Sequence, residues 1–178
     1  NNAAMKIGTD SILLGAWTKT SNYKNGLDIG TGTGVISLML CQRNLEINMD
    51  SIENSAVALK DAAINIKNSY WNNRINLINE NFQNFIPKKK YDLIISNPPF
   101  FPKSLRPENS ERLKARHQED LNFEDILKFS QKYLKTNGSL NLILPYDQKE
   151  KVHYLSRKYE LFIIRQCLVF SKPNKKSH

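Results

Sequence analysis

Six short apolar runs are spaced along the chain, at residues 27–30, 46–52, 75–79, 91–96, 139–145 and 161–170, each closed by a glycine, a proline or a polar residue. They are too short for helices and nearly continuous in apolar character, which predicts strands buried on both faces. Between them, residues 10–19, 35–43, 54–68, 123–134 and 147–158 repeat their apolar positions at helical spacing. Asp10 and Asn122 stand where N-caps are expected. Strands alternating with helices predict an α/β fold, a doubly wound, mostly parallel sheet covered on both faces.

The first strand runs into "LDIGTGTG" (27–34), a turn leading to a helix. Glycines permit the tight turn and a close ligand approach, while the helix amino end offers free N–H groups. Glu53 closes the second strand, where an acid can accept hydrogen bonds from ribose hydroxyls. The pattern differs from the dinucleotide fingerprint by an acid inside the motif. Asp28 disfavours a pyrophosphate and favours a cationic ligand such as S-adenosylmethionine over NAD. The alternative is a structural carboxylate that binds nearby backbone N–H groups. After the third strand, "NENFQNF" offers Phe82 to stack on a cofactor adenine and Asn81 to bond its amino edge. Phe82 as an ordinary core residue is the competing reading.

The fourth strand meets "SNPPFF" (96–101). Proline donates nothing to a sheet ladder and restricts the residue before it, so the strand must stop near Ser96. Asn97 is then held on a stiff loop with Pro98, Pro99 and Phe100. Such a loop suits the methylation of a planar amine. The Asn97 oxygen and the Pro98 carbonyl accept the two amino hydrogens and draw the nitrogen toward tetrahedral geometry. Phe100 stacks on the base, a contact worth about 1–3 kcal/mol.

The chain has 178 residues, enough for one core, and is expected to form a single domain over residues 1–178. Within it, residues 1–26 form an amino-terminal helical segment on the cofactor side, and residues 102–121 a basic loop. A net charge of +9 points to a polyanionic partner. Lys103, Arg106, Arg112, Lys114 and Arg116, with His117, follow the NPPF loop and are placed to hold RNA phosphates around a flipped nucleotide. Lys88, Lys89 and Lys90, and the tail lysines Lys172, Lys175 and Lys176, would extend that track. A solvated charged loop is the alternative. No apolar run is long enough to span a membrane, the two cysteines form no C-x-x-C pair, and the three histidines suggest no metal site. A monomeric cytoplasmic protein without metal or membrane association is expected.

"LDIGTGTG" followed by "SNPPFF" resembles the class I, Rossmann-like, S-adenosylmethionine-dependent methyltransferases that act on amino nitrogens. With "MKIGTDSILLGAW" (5–17) ahead of the glycine turn, the chain resembles the bacterial tRNA1(Val) adenine-N6 methyltransferases, which modify the adenosine just 3′ of the valine anticodon. The resemblance implies that Gly30, Thr31, Gly32 and Gly34 cradle the methionine moiety, that Glu53 takes the ribose, and that Asn97, Pro98 and Phe100 hold the target amine. It also implies that Gly8, Thr9 and Asp10 pack near the cofactor. Asn81 departs from the family pattern, which carries Asp there. The family also begins with an earlier short strand and ends with a seventh, so the sheet is expected to be truncated at its last strand. Other readings stay open at this stage: the same chemistry on an rRNA base, a DNA adenine or a protein glutamine, an NAD-dependent oxidoreductase, and a non-catalytic RNA-binding module.

Overall fold

The computed structural model describes residues 8–99 and 122–170. Its strands are β1 (Asn25–Ile29), β2 (Asn48–Glu53), β3 (Ile75–Asn79), β4 (Tyr91–Ser96) and β5 (Leu134–Leu142). Its helices are α1 (Thr9–Trp17), α2 (Val35–Arg43), α3 (Ala56–Lys67), α4 (Phe123–Tyr133) and α5 (Lys149–Lys158). The strands form one sheet in the order β3-β2-β1-β4-β5, with every pair parallel.

Strand alternation explains the layers. Leu93 and Ile95 face one core cluster, where Leu14, Ile36, Leu40, Ala62 and Ile66 bring in α1, α2 and α3. Ile94 turns to the other face and packs with Leu27, Ile29, Ile52 and Ile126, the last from α4. Both faces are thus covered, which accounts for the unbroken apolar runs. The chain winds outward from β1 to β3, then returns to place β4 on the other side of β1. A crevice opens at that switch point, beyond the carboxyl ends of β1 and β4.

Three local expectations change. Helix α1 is capped by Gly8 with no side-chain bond, and Asp10 lies in its first turn. Ahead of α4, by contrast, Asn122 caps as expected, accepting from the Glu124 N–H at 3.1 Å. The fifth strand begins at Leu134 rather than at Ser139, because a bulge absorbs the residues between Tyr91↔Leu134 and Leu93↔Ser139. Gly138 sits in that bulge, where a Cβ would come within 2.9 Å of the Asp92 carbonyl. The sixth run, residues 161–170, forms no strand. Its β-branched and aromatic composition favours extended backbone, but a ladder needs a partner, and among the described residues β5 pairs only with β4. Phe162 is 89% exposed in consequence. The segment is tied to α1 by the Arg165 guanidinium, 4.0 Å from the centre of the Trp17 ring.

The amino ends of the strands carry a separate polar network. Asp50 accepts from Tyr91 Oη at 2.9 Å and Asn76 Nδ2 at 3.0 Å, and pairs with Lys89 Nζ at 2.9 Å. Burial pushes its carboxyl up, but these hydrogen bonds together outweigh that and hold it below the usual carboxylate value. Tyr91 is fully buried. Replacing it with Phe removes one bond to an ion and leaves Asp50 two partners, so Tyr91→Phe is expected to cost about 2 kcal/mol in denaturant unfolding. Ligand binding in the crevice, which lies at the opposite end of the sheet, should stay at the wild-type value in calorimetry.

Candidate active site

The carboxyl ends of β1 and β4 are locked in register, with Ile29 opposite Ser96. Ser96 Oγ donates to the Ile29 carbonyl at 2.7 Å, fastening the point where both strands stop. The glycine turn leaves from one strand and Asn97 from the other. Two motifs far apart in sequence therefore begin side by side.

Within the turn, Gly30, Gly32 and Gly34 have φ values of 69°, 57° and 79°. A residue with a Cβ is strained by roughly 1–2 kcal/mol at each such position, so three glycines at every second place are what this path requires. The N–H groups of Gly30 and Thr31 both donate to the Ile52 carbonyl at 2.9 Å. Glu53 completes the attachment to β2: Oε2 accepts from the Gly32 N–H at 2.9 Å, while Oε1 accepts from Asn54 and Ser55 at 3.0 and 2.9 Å. The acid at the end of β2 therefore holds the turn itself, with lone pairs remaining for a ligand.

Asp28 lies beneath the turn, fully buried, rather than on the cleft surface. Its Oδ2 accepts from Thr31 Oγ1 at 2.6 Å and Ser37 Oγ at 2.9 Å, and Ser37 in turn shares a bond with Ser51 at 2.8 Å. Oδ1 has no partner among the described residues. Burial pushes the carboxyl up to about 6, against the opposing hydrogen bonds from Thr31 and Ser37. Asp28 and Thr31 thus act on the turn from below.

An open cleft of about 2180 Å³ gathers several expected residues: Gly8 and Thr9 at the start of α1, Gly30, Glu53, and Asn97 with Pro98 and Pro99. It exceeds the usual small-molecule site because it continues along the free edge of β5. Phe82 borders it but is only 8% exposed, packed at 5.0 Å against the Phe129 ring, so it serves the core and offers the cleft an edge. Asn81 uses its side-chain oxygen to cap the following turn through the Gln83 N–H at 3.0 Å, which leaves less of it for a ligand. Lys88, Lys89 and Lys90 precede β4, whose six residues put them about 20 Å from Asn97, and Lys89 is taken up by Asp50. Lys90 also lines the cleft. Phe100, Lys103, Arg106, Arg112, Lys114, Arg116, His117 and the tail lysines lie outside the described residues.

One contact had no signal in the sequence. Asn97 Nδ2 donates to Ser11 Oγ at 3.0 Å, across 86 positions of chain. Among the described residues, no donor reaches the Asn97 oxygen, and that side chain lines the cleft.

Comparisons with known proteins agree with this geometry. Residues 3–162 match the methyltransferase small domain family. The chain is 39% identical over 176 residues to a protein of Bacteroides fragilis named tRNA1(Val) (adenine(37)-N6)-methyltransferase, covering 97% of this chain and 74% of that one. A protein of the same name from Haemophilus influenzae is 40% identical over 180 residues, covering 98% and 75% respectively. Among solved structures, a precorrin-6y C5,15-methyltransferase from Geobacter metallireducens shares the fold with a TM-score of 0.62 at 13% identity, covering 90% of this chain and 74% of its own.

The buried Asp28 carboxyl generates a pH prediction. Its folded pKa of about 6 lies above the ordinary 3.8, so the stabilising form is the protonated one, fully present below about pH 4 and lost as pH rises through 6. Asp28→Asn stays neutral throughout. In urea titrations between about pH 4 and pH 7, the variant should gain on the wild type by up to roughly 3 kcal/mol. A difference that does not vary with pH would contradict the assignment.

Proposed function

The chain belongs to the methyltransferase small-domain family, and from that premise we propose that it methylates the N6 amine of an adenosine in tRNA, with the adenosine 3′ of the tRNA1(Val) anticodon as its substrate. The observation that carries this reading is Asn97: a carboxamide at the end of β4, lining the same cleft as the glycine turn, with no donor to its oxygen among the described residues. The relatives named above act, by their names, on that tRNA.

The residues present fit S-adenosylmethionine. The glycine turn brings bare backbone to the cleft at φ values that glycine adopts freely, and Glu53 keeps lone pairs beside it. When bound, this cofactor supplies an electrophilic methyl group on a sulfonium. The protein's own task is to prepare the amine. Adenine N6 is a poor nucleophile because its lone pair is delocalised into the ring. Asn97 Oδ1 and the Pro98 carbonyl accept its two hydrogens, which draws the nitrogen out of the ring plane and localises the lone pair. Pro98 and Pro99 stiffen the loop, so the acceptors are set before the substrate arrives. Phe100 stacks on the base, and positioning supplies the rest of the rate.

The basic residues Lys103, Arg106, Arg112, Lys114 and Arg116 are assigned to the RNA phosphates, on the support of their charge and their place after Pro99. A tRNA substrate and two free thiols fit a cytoplasmic enzyme. Among the described residues, no helix is long and apolar enough to cross a membrane.

Incubation with labelled S-adenosylmethionine and total tRNA lacking the modification, followed by nucleoside analysis, should return N6-methyladenosine. Label on an rRNA base, a DNA adenine or a glutamine would redirect the assignment. Asn97→Ala should lower turnover by about 10²–10³ through loss of one preorganised acceptor, with cofactor affinity kept. RNA affinity should fall by roughly 0.7–0.9 log units per log unit of salt for each phosphate engaged, and a flat salt response would remove the phosphate track.

A further inference from the structure

Resting on the reading of the chain as a tRNA methyltransferase, we infer that the rim of the cleft beyond β5 is an RNA-contact surface. Tyr146 stacks on a nucleotide flanking the target adenosine, and Lys149, His153 and Arg157 of α5 hold the phosphates next to it.

The sheet puts this rim beside the reacting end. Ser96 stands opposite Leu142, so the chain leaves β5 next to the point where Asn97 leaves β4. Residues 143–145 lead into a short 3-10 turn, Tyr146–Gln148, closed by the Gln148 N–H on the Pro145 carbonyl at 3.0 Å. Helix α5 follows without a break. Tyr146, Lys149 and His153 line the same cleft as Asn97 and Pro98. An enzyme that acts on a base takes it out of its stack, so the neighbouring nucleotides must cross the rim of the site.

Helix α5 sorts its cations by face. Val152, Leu155 and Tyr159, at i, i+3 and i+7, pack with Phe123 and Leu127 of α4. Two lysines are used on that side: Lys151 Nζ lies 4.8 Å from the centre of the Phe123 ring, and Lys158 Nζ pairs with Glu124 at 3.0 Å. Lys149, His153 and Arg157, at i, i+4 and i+8, form a separate stripe, about 12 Å long at the helical rise. Among the described residues, no carboxylate pairs with Lys149 or Arg157. The stripe borders an open concavity of about 830 Å³, where Lys149, Arg157 and Lys158 surround one acid, Glu150. That balance attracts an anion. Tyr146 is 41% exposed, with Lys149 Nζ 5.9 Å from its ring centre. An acidic protein surface would use the charges and leave the ring idle. A single RNA strand uses both, with a base on the ring and phosphates on the cations.

Binding of unmodified tRNA, measured across a salt series, tests the surface. Lys149→Gln combined with Arg157→Gln should weaken binding and lower the slope of log affinity against log salt by roughly 1.4–1.8, the value for two phosphates. KM for tRNA should rise, while turnover at saturating tRNA and S-adenosylmethionine affinity stay at the wild-type values. Tyr146→Ala should weaken tRNA binding about ten-fold, and Tyr146→Phe, which keeps the ring, should bind as the wild type does. Lys132→Gln combined with Lys151→Gln removes the same charge from residues that do not line the cleft, and should leave the salt slope unchanged. An equal fall in both pairs, an unchanged slope in the Lys149 and Arg157 pair, or full affinity in Tyr146→Ala would each overturn the inference while the wild type still methylates tRNA. A wild type that binds S-adenosylmethionine but neither binds nor methylates tRNA would overturn the underlying reading, and the inference with it.

Discussion

The register of β1 against β4 is the constraint from which the site follows. Because Ile29 stands opposite Ser96 and the two are joined by a side-chain bond, Gly30 and Asn97 leave the sheet at the same level. Strand side chains alternate, so a slip of one residue would turn Ile94 away from its cluster and carry Asn97 out of the cleft. The core therefore enforces the site: Leu27, Ile29, Leu93, Ile94 and Ile95, all fully buried, hold the register. Stability and chemistry are linked through the same few pairs.

Holding the glycine turn has a cost that the neighbourhood offsets. Three residues in left-handed geometry gain little from their own contacts. The turn is instead hung from β2, through the Ile52 carbonyl and the Glu53 carboxylate, and supported from below by Asp28. A fully buried carboxyl with one oxygen unpartnered among the described residues is an unfavourable component. The polar network around Asp50, at the amino ends of the strands, is by contrast fully paired.

The fold was largely legible. Helix α2 and strands β3 and β4 fall on the residues that apolar periodicity and the Pro98 stop predict, since burial on both faces and proline geometry act locally. The glycine turn, Glu53 and Asn97 stood out in the sequence by residue type and strand-end position, and the fold brings them to one cleft. Less was legible where the outcome depends on distant partners. Residues 161–170 have a strand's composition, yet pairing is a property of the neighbour and not of the segment. Asp28 read either as a ligand-facing acid or as a structural carboxylate, and its bonds from Thr31 and Ser37 place it under the turn. Ser11 carried no signal because its partner, Asn97, lies 86 positions away along the chain.

The central claim is that the cofactor's transferable carbon is presented to the Asn97–Pro98 corner of the cleft. A crystal structure with S-adenosylmethionine tests it most directly. The account predicts the cofactor in the crevice beyond β1, its ribose at Glu53 and its sulfur-bound methyl turned toward Asn97 with space for one amino nitrogen between them. A methyl group directed away from Asn97, or a cofactor seated along β5 instead, would contradict it.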